Sequence, residues 1–377
     1  MVLDQIIKEI RLAGPAWKER SLDAESRGSI DSANAEEIRS IGAHRLTQPF
    51  NFGGAQSSIE DHMRAVAVAG EYCMSTAWCL AVWSAHNWMA SHFPAEGQHD
   101  FWEDPRNLIS ASIVPKTKFK AVGQDVLVSG RFSFGSGCDH ASWLGVGGLV
   151  GDKTPSPVIC MLPKDSISID HESWEVSGLR GTGSKELVIA GEVLVPAHRV
   201  LRVSESMNRE SPGQKLYDHP LYMTPWRTTA ILVLAAPLIG AAKAAIGRFR
   251  ERMDNHVLLA LKTTQLNDPL ALNRIAESSA EIQAAELMLY HAAKQLDLLG
   301  AADEVDPLDN AVIIRDCGFA VRLLANSVDR LFEASGGSAL SSAEPMQRIW
   351  RDVHAARSHA VLTWDHASHT YSQALFK

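Results

Sequence analysis

The sequence predicts an α+β fold in three parts: an N-terminal helical domain, a central β domain and a C-terminal helical bundle. Three textures carry that expectation. From Ser58 to Phe93 the chain is rich in Ala, Met, Trp and Leu, has no interior proline, and repeats apolar residues at three and four. That is the period of a long buried helical region. Between about Leu108 and Val203 the texture changes to short β-branched runs (108–114, 125–134, 157–163 and 186–196) separated by Gly, Pro and Asp turns, which read as strands. After Pro225 the strands stop and four helical stretches follow. Three are opened by an acidic residue and a proline, Asp268-Pro269, Asp306-Pro307 and Glu344-Pro345, with Gly300 and the pair Gly336-Gly337 as stops. The parts are residues 1–107, 108–205 and 206–377. The segment Ser204 to Pro225, with Pro212, Gly213 and Pro220, reads as a long surface or lid loop.

The chain has 377 residues, 46% hydrophobic and 21% charged, enough for a large core. Its 36 basic and 44 acidic residues give a net charge of -8, which argues against a phosphate-tracking surface and for a small-molecule substrate rather than nucleic acid. Met1 to Lys18 lacks the basic start and continuous apolar core of a signal peptide. Five scattered cysteines, Cys73, Cys79, Cys138, Cys160 and Cys317, form no CxxC pair, so a reducing cytoplasm is expected. The most apolar run, Ile231 to Ala242, is short for a bilayer span, carries Pro237, and reads as a buried helix, so no membrane is expected. No HExxH, two-histidine-carboxylate or Walker spacing occurs, so no metal is expected.

Three motifs then fall in register. They are Gly130-Arg-Phe-Ser-Phe-Gly-Ser-Gly-Cys-Asp-His-Ala141; Gly178-Leu-Arg-Gly-Thr-Gly-Ser184 followed by Val193-Leu-Val-Pro196; and Ser335-Gly-Gly-Ser338 followed by Pro345-Met-Gln-Arg-Ile-Trp-Arg-Asp352. Together they resemble the acyl-CoA dehydrogenase superfamily, and within it the oxygenase branch of two-component flavin monooxygenases. The resemblance spans about residues 60 to 375 and implies the acyl-CoA dehydrogenase fold. It also implies a reduced FAD or FMN supplied by a separate NAD(P)H-dependent reductase, a peroxide formed at flavin C4a from O2, a small phenol- or indole-like substrate, and a homotetramer with the Gly336 turn near an interface.

Departures from the dehydrogenase pattern carry the functional argument. A dehydrogenase needs a carboxylate base, but the corresponding positions hold Ala360 and, on the Ile231 helix, Thr229. The diphosphate-holding R-x-x-F-G motif is absent around Arg248 to His256. Weak retention of oxidised flavin is the consequence. An acyl-CoA dehydrogenase or CoA-ester oxygenase would need Glu251 or Glu333 as a displaced base, and a non-catalytic binding subunit is a third reading.

The resemblance assigns flavin contacts to Ser112, Phe134, Ser136, Arg180, Thr182, Ser184, Gly336 and Gly337. Ser136 is expected to donate a hydrogen bond near flavin N5, or else to be a turn serine between two glycines. His359 matches the proton-transfer histidine of the oxygenases, a task suited to imidazole. On a continuous helix it points about 140° away from His354. His86 is a second pocket histidine, and Trp83, Asn87, Asp139 and His140 are expected substrate contacts. For these residues a core or turn-capping role is the alternative. Arg180 either offers charge to the flavin or organises its own turn, and Arg131 offers charge or stays solvated.

Overall fold

The computed structural model describes residues 3–377 except 152, 254–256 and 259–262. The end of the segment scanned for the R-x-x-F-G motif therefore lies outside the described residues. Six helices come first: α1 Leu3–Glu19, α2 Ser21–Arg27, α3 Ser32–Ile41, α4 Ile59–Gly70, α5 Met74–Ala90 and α6 Ala95–Phe101. Seven strands follow, β1 Ile109–Val122, β2 Asp125–Gly135, β3 Trp143–Val150, β4 Ser156–Pro163, β5 Ser168–Asp170, β6 Lys185–Val195 and β7 Val200–Arg202. They form one sheet in the order β5-β6-β2-β1-β3-β4-β7. Only β1 and β3 pair in parallel, from Ile109 opposite Trp143, with a register shift between Ser112 and Thr117; the other pairs are antiparallel.

The chain then returns to helices: α7 Val203–Met207, α8 Trp226–Met253, α9 Pro269–Ala301, α10 Pro307–Ala334, α11 Pro345–Arg357 and α12 Trp364–Leu375. Among the described residues five helices thus follow Pro225 where the sequence suggested four, because the final stretch breaks at Ser358. Two of the acidic-proline openings act as N-caps: Asp268 accepts from the Leu270 and Ala271 amides, and Asp306 from Leu308. Glu344 does not cap α11. Its carboxylate forms a bidentate pair with Arg248 (2.6 and 2.8 Å). Gly336 (φ 68°) follows the end of α10 as a left-handed stop, but Gly300 is still helical. A Cβ on Gly300 would lie 2.4 Å from Pro220 O, so close approach explains that glycine.

Two cores result. The N-terminal and C-terminal helices share one continuous apolar cluster, while the sheet encloses its own around Val128, Leu144, Cys160 and Leu187. The long region from Ser58 breaks between α4 and α5, so that both can lie on α8. At the α4–α8 crossing, a Cβ on Gly240 would lie 2.1 Å from Ala67 O and one on Gly70 2.6 Å from Pro237 O, so only glycine admits the contact. α8 is long and apolar enough to cross a bilayer, longer than its central run suggested, and two thirds of its apolar window is buried inside the protein. The segment from Ser204 is no free lid. Ser211, Gln214 and Tyr222 are fully buried, and the Gln214 amide donates to Tyr222 O (2.8 Å).

Candidate active site

Helix α5 sorts its residues by 100° steps into two neighbouring faces. Cys79, Trp83 and Asn87, four apart, are all fully buried. Trp78, Val82 and His86 form the next face, and His86 is only partly covered. This arithmetic removes two expected substrate contacts. Asn87 donates to His44 O (2.7 Å) and accepts from Trp102 Nε1 (3.0 Å), and Trp83 packs against the Gly137 backbone, so both are core residues.

The face that carries Trp78 meets the β domain at Ser136. The Trp78 indole N–H donates to Ser136 Oγ (3.3 Å), which lies 2.7 Å from Ser184 Oγ. Ser184 Oγ is in turn 2.7 Å from Thr182 Oγ1, whose hydroxyl donates to Leu179 O (2.8 Å). Ser112 donates to Ser133 O (2.5 Å), and Ser110 to Ser136 O (2.8 Å), which pins the loop to β1. Phe134, two residues before Ser136, is 61% exposed with φ 71°, and its ring stands edge-on to Trp174 at 6.2 Å. Leu179 is also left-handed, at φ 55°. Each such non-glycine costs on the order of 1 kcal/mol and persists because its surroundings enforce it. For Leu179 the enforcing group is Asp352, which accepts its amide (2.6 Å) and is fully surrounded by protein, a burial that raises its pKa to about 6. The Gly178 turn and the Arg351-Asp352 pair are therefore one device: a Cβ on Gly178 would lie 2.2 Å from Arg351 O.

His359 closes the arrangement from the other side. α11 ends at Arg357, so His359 sits in the turn beyond it, its amide donating to Ala356 O (3.0 Å), and the 140° separation from His354 does not apply. What separates the two histidines is partnering. His354 is bound to Asp329 (2.7 Å), whereas the His359 ring has no hydrogen-bond partner among the described residues. Its centroid lies 6.1 Å from that of Trp78. The ring is open to solvent yet walled closely enough by protein for desolvation to lower its pKa. His86 lies at the far end of the same α5 face. Ile109 O, 3.2 Å from Nδ1, can only accept, so Nδ1 carries the proton and Nε2 is left as an acceptor. Burial holds the His86 pKa down at about 4, so the ring is neutral.

Several expected contacts lie elsewhere. Asp139 is paired with the buried Lys185 (2.7 Å), and His140 Nε2 reaches Ile30 O (3.1 Å) at the seam with the N-terminal helices, so both side chains are engaged within the protein. Arg180 donates back to Glu25 O (3.3 Å) and Val176 O (3.4 Å), which organises its turn. Arg131 pairs with Asp170 and Glu186 at the surface. The Gly336-Gly337 turn is held by Arg252 through Ser338 Oγ (2.6 Å), on the bundle side of the chain. Sequence reasoning missed Trp78, which links Ser136 to His359; its spacing of eight from His86 on α5 was the available signal. A cavity of about 410 Å³ lies on the helical side of the Gly178 turn, between α1, α4, α8 and α11, with Arg180, Gly181, Arg348 and Asp352 on its wall.

An exposed aromatic ring on a held, left-handed backbone, beside a line of hydroxyls, suits a flat hydrogen-bonding ring system such as isoalloxazine. A shared helical core packed against a mixed sheet through α5 and β1, with such a platform at their junction, defines a flavoprotein of the acyl-CoA dehydrogenase fold. Residues 232–364 match the family described as acyl-CoA dehydrogenase, C-terminal domain. The chain is 35% identical to the flavin-dependent monooxygenase oxygenase subunit HsaA of Rhodococcus jostii (strain RHA1), over 92% of this chain and 91% of that protein. It is 30% identical to the FADH(2)-dependent resorcinol hydroxylase oxygenase component of Rhizobium sp. (strain MTP-10005), over 94% and 90%. The crystal structure of the HsaA monooxygenase from M. tuberculosis superposes with a TM-score of 0.93 at 33% identity, over 100% of this chain and 98% of that one. The chain belongs to the oxygenase components of two-component flavin-dependent monooxygenases, which work with reduced flavin.

Proposed function

We propose that the chain hydroxylates a small phenol held between Phe134, Trp78 and the two pocket histidines. The observation that carries this reading is the pair of neutral histidines: His359 beside Trp78 and without a partner among the described residues, and His86 with Nε2 free to accept, two turns further along the same α5 face. A phenol O–H donated to one imidazole gains electron density on its ring, which favours attack on an electrophilic oxygen. Flavin, when bound, supplies the oxygen-activating chemistry. Ser112, Phe134, Ser136, Thr182 and Ser184 line its place, while His359 moves the proton. The resorcinol hydroxylase among the relatives supports a phenolic substrate. The oxygenase-component names of the relatives support a separate NAD(P)H-dependent reductase as the source of reduced flavin. The family resemblance supports a homotetramer with Gly336 and Gly337 near an interface. Five buried free thiols suit the reducing cytoplasm.

The test supplies the purified chain with dithionite-reduced FAD or FMN, then with ¹⁸O₂ and a panel of phenols and indoles, and reads products by mass spectrometry. One labelled oxygen in a phenol-derived product supports the reading. Hydrogen peroxide formed without any product across the panel, or anaerobic dye reduction by an acyl-CoA, overturns it. Light scattering that finds a monomer removes the tetramer.

A further inference from the structure

The line of hydroxyls beside Phe134 takes its direction from the Thr182 hydroxyl, which donates to Leu179 O beside the Thr182 amide. At one end stands the Trp78 indole N–H, which can only donate, and at the other the Leu179 carbonyl, which can only accept. Between them are three hydroxyls with one proton each. The Thr182 proton goes to Leu179 O, so across the 2.7 Å contact to Ser184 the donor is Ser184. The Ser184 proton being committed, the donor across the next 2.7 Å contact is Ser136. Ser136 therefore accepts from Trp78 and donates to Ser184. What it keeps for a ligand is a lone pair and no proton. The three hydroxyls are 2–8% exposed, so water cannot readily re-partner them.

We propose that this directional hydroxyl chain makes Ser136 an obligatory acceptor, so that the site discriminates between flavin redox states at N5, with Ser184 and Thr182 as the positioning residues. Reduced flavin carries N5–H and can donate to Ser136. Oxidised flavin presents an N5 lone pair, which meets the Ser136 lone pair. The expectation from sequence, that Ser136 donates, is reversed. The proposal rests on the reading that Ser136 faces flavin N5. It also gives Asp352 a part: by holding Leu179 left-handed, it aims the carbonyl that terminates the chain.

The experiment measures dissociation constants of oxidised and dithionite-reduced FAD, with FMN in parallel, by anaerobic fluorescence titration of the intact protein. Wild type should favour reduced flavin. In Ser184→Ala, Ser136 regains a free proton, so the preference should fall by about tenfold, the scale of one hydrogen bond reversed, chiefly through tighter oxidised flavin. Thr182→Val should do the same, since Ser184 then has no acceptor beyond it. Thr182→Ser, which restores the chain, should return the wild-type ratio. A merely structural role predicts loss of both affinities together and no rescue by the serine. If Ser136→Ala leaves the ratio unchanged, Ser136 does not face N5 and the underlying reading fails. If Ser136→Ala collapses the preference while Ser184→Ala and Thr182→Val keep it, the chain direction is irrelevant and the proposal is overturned.

Discussion

Three histidines of the helical core make acid stability a quantitative test of that core. His44, His62 and His92 are fully buried, and burial lowers their pKa values to about 3, 4 and 3. Among the described residues, the rings of His62 and His92 have no hydrogen-bond partner on either nitrogen. All three are neutral in the folded protein and titrate near 6.5 once unfolded. Because the folded pKa values are depressed, the corresponding stability is fully present above pH 6.5 and is lost as pH falls toward 4. At pH 5 each unfolded imidazole has gained about 2 kcal/mol from protonation, so the three together remove about 6 kcal/mol. That is comparable with the whole stability of a typical domain, about 5–15 kcal/mol. Guanidinium unfolding at constant ionic strength and fixed protein concentration, from pH 7.5 to 5, should show a midpoint that drops steeply below pH 6.5. In His62→Leu the slope should lessen by the equivalent of one proton without loss of stability at pH 7.5, since the leucine leaves no buried imidazole to desolvate. An unfolding midpoint unchanged between pH 7 and 5, or a His62→Leu slope identical to wild type, refutes the reasoning.

Other outcomes concern the site. His359→Ala should cut product formation by roughly 10² to 10⁴ while reduced flavin still binds, with hydrogen peroxide replacing product. His354→Ala, which breaks the partly exposed pair with Asp329 and a ring contact with Trp350, should cost about 1 kcal/mol and leave coupling intact, as differential scanning calorimetry and peroxide assays would show. The reverse pattern would relocate the proton transfer. Phe134→Ala should weaken flavin binding by about tenfold through loss of the exposed aromatic platform, read by fluorescence titration, without lowering the melting temperature. An unchanged affinity would remove Phe134 from the flavin contacts.

Local pattern carried much of this protein. Amphipathic and β-branched periods, acidic-proline caps and the Gly-rich turns are short-range signals, and they located the helical and β regions, the Ser136 loop and the Asp352 helix. The substitutions at Ala360 and Thr229 spoke against dehydrogenase chemistry for the same reason, since a base either is or is not present at a position. What remained illegible depended on contacts between segments far apart in the chain. Trp83 and Asn87 looked like pocket residues because composition does not say which face of α5 meets the cleft; only the docking of Trp78 on Ser136 and of His86 on β1 settled that. Asp139 and His140 follow the flavin loop directly, yet Lys185 and Ile30, neighbours only in the fold, take up their side chains. The helix carrying His354 and His359 read as continuous, and its end at Arg357 converted an angular argument into one about partners. The sequence by itself determined the family, the glycine-bounded Ser136 loop and the missing carboxylate, because these depend on which residue stands where. Only the tertiary structure decided the direction of the Trp78–Leu179 hydroxyl chain, because a hydroxyl's proton follows its neighbours in space, and those come from three separate segments.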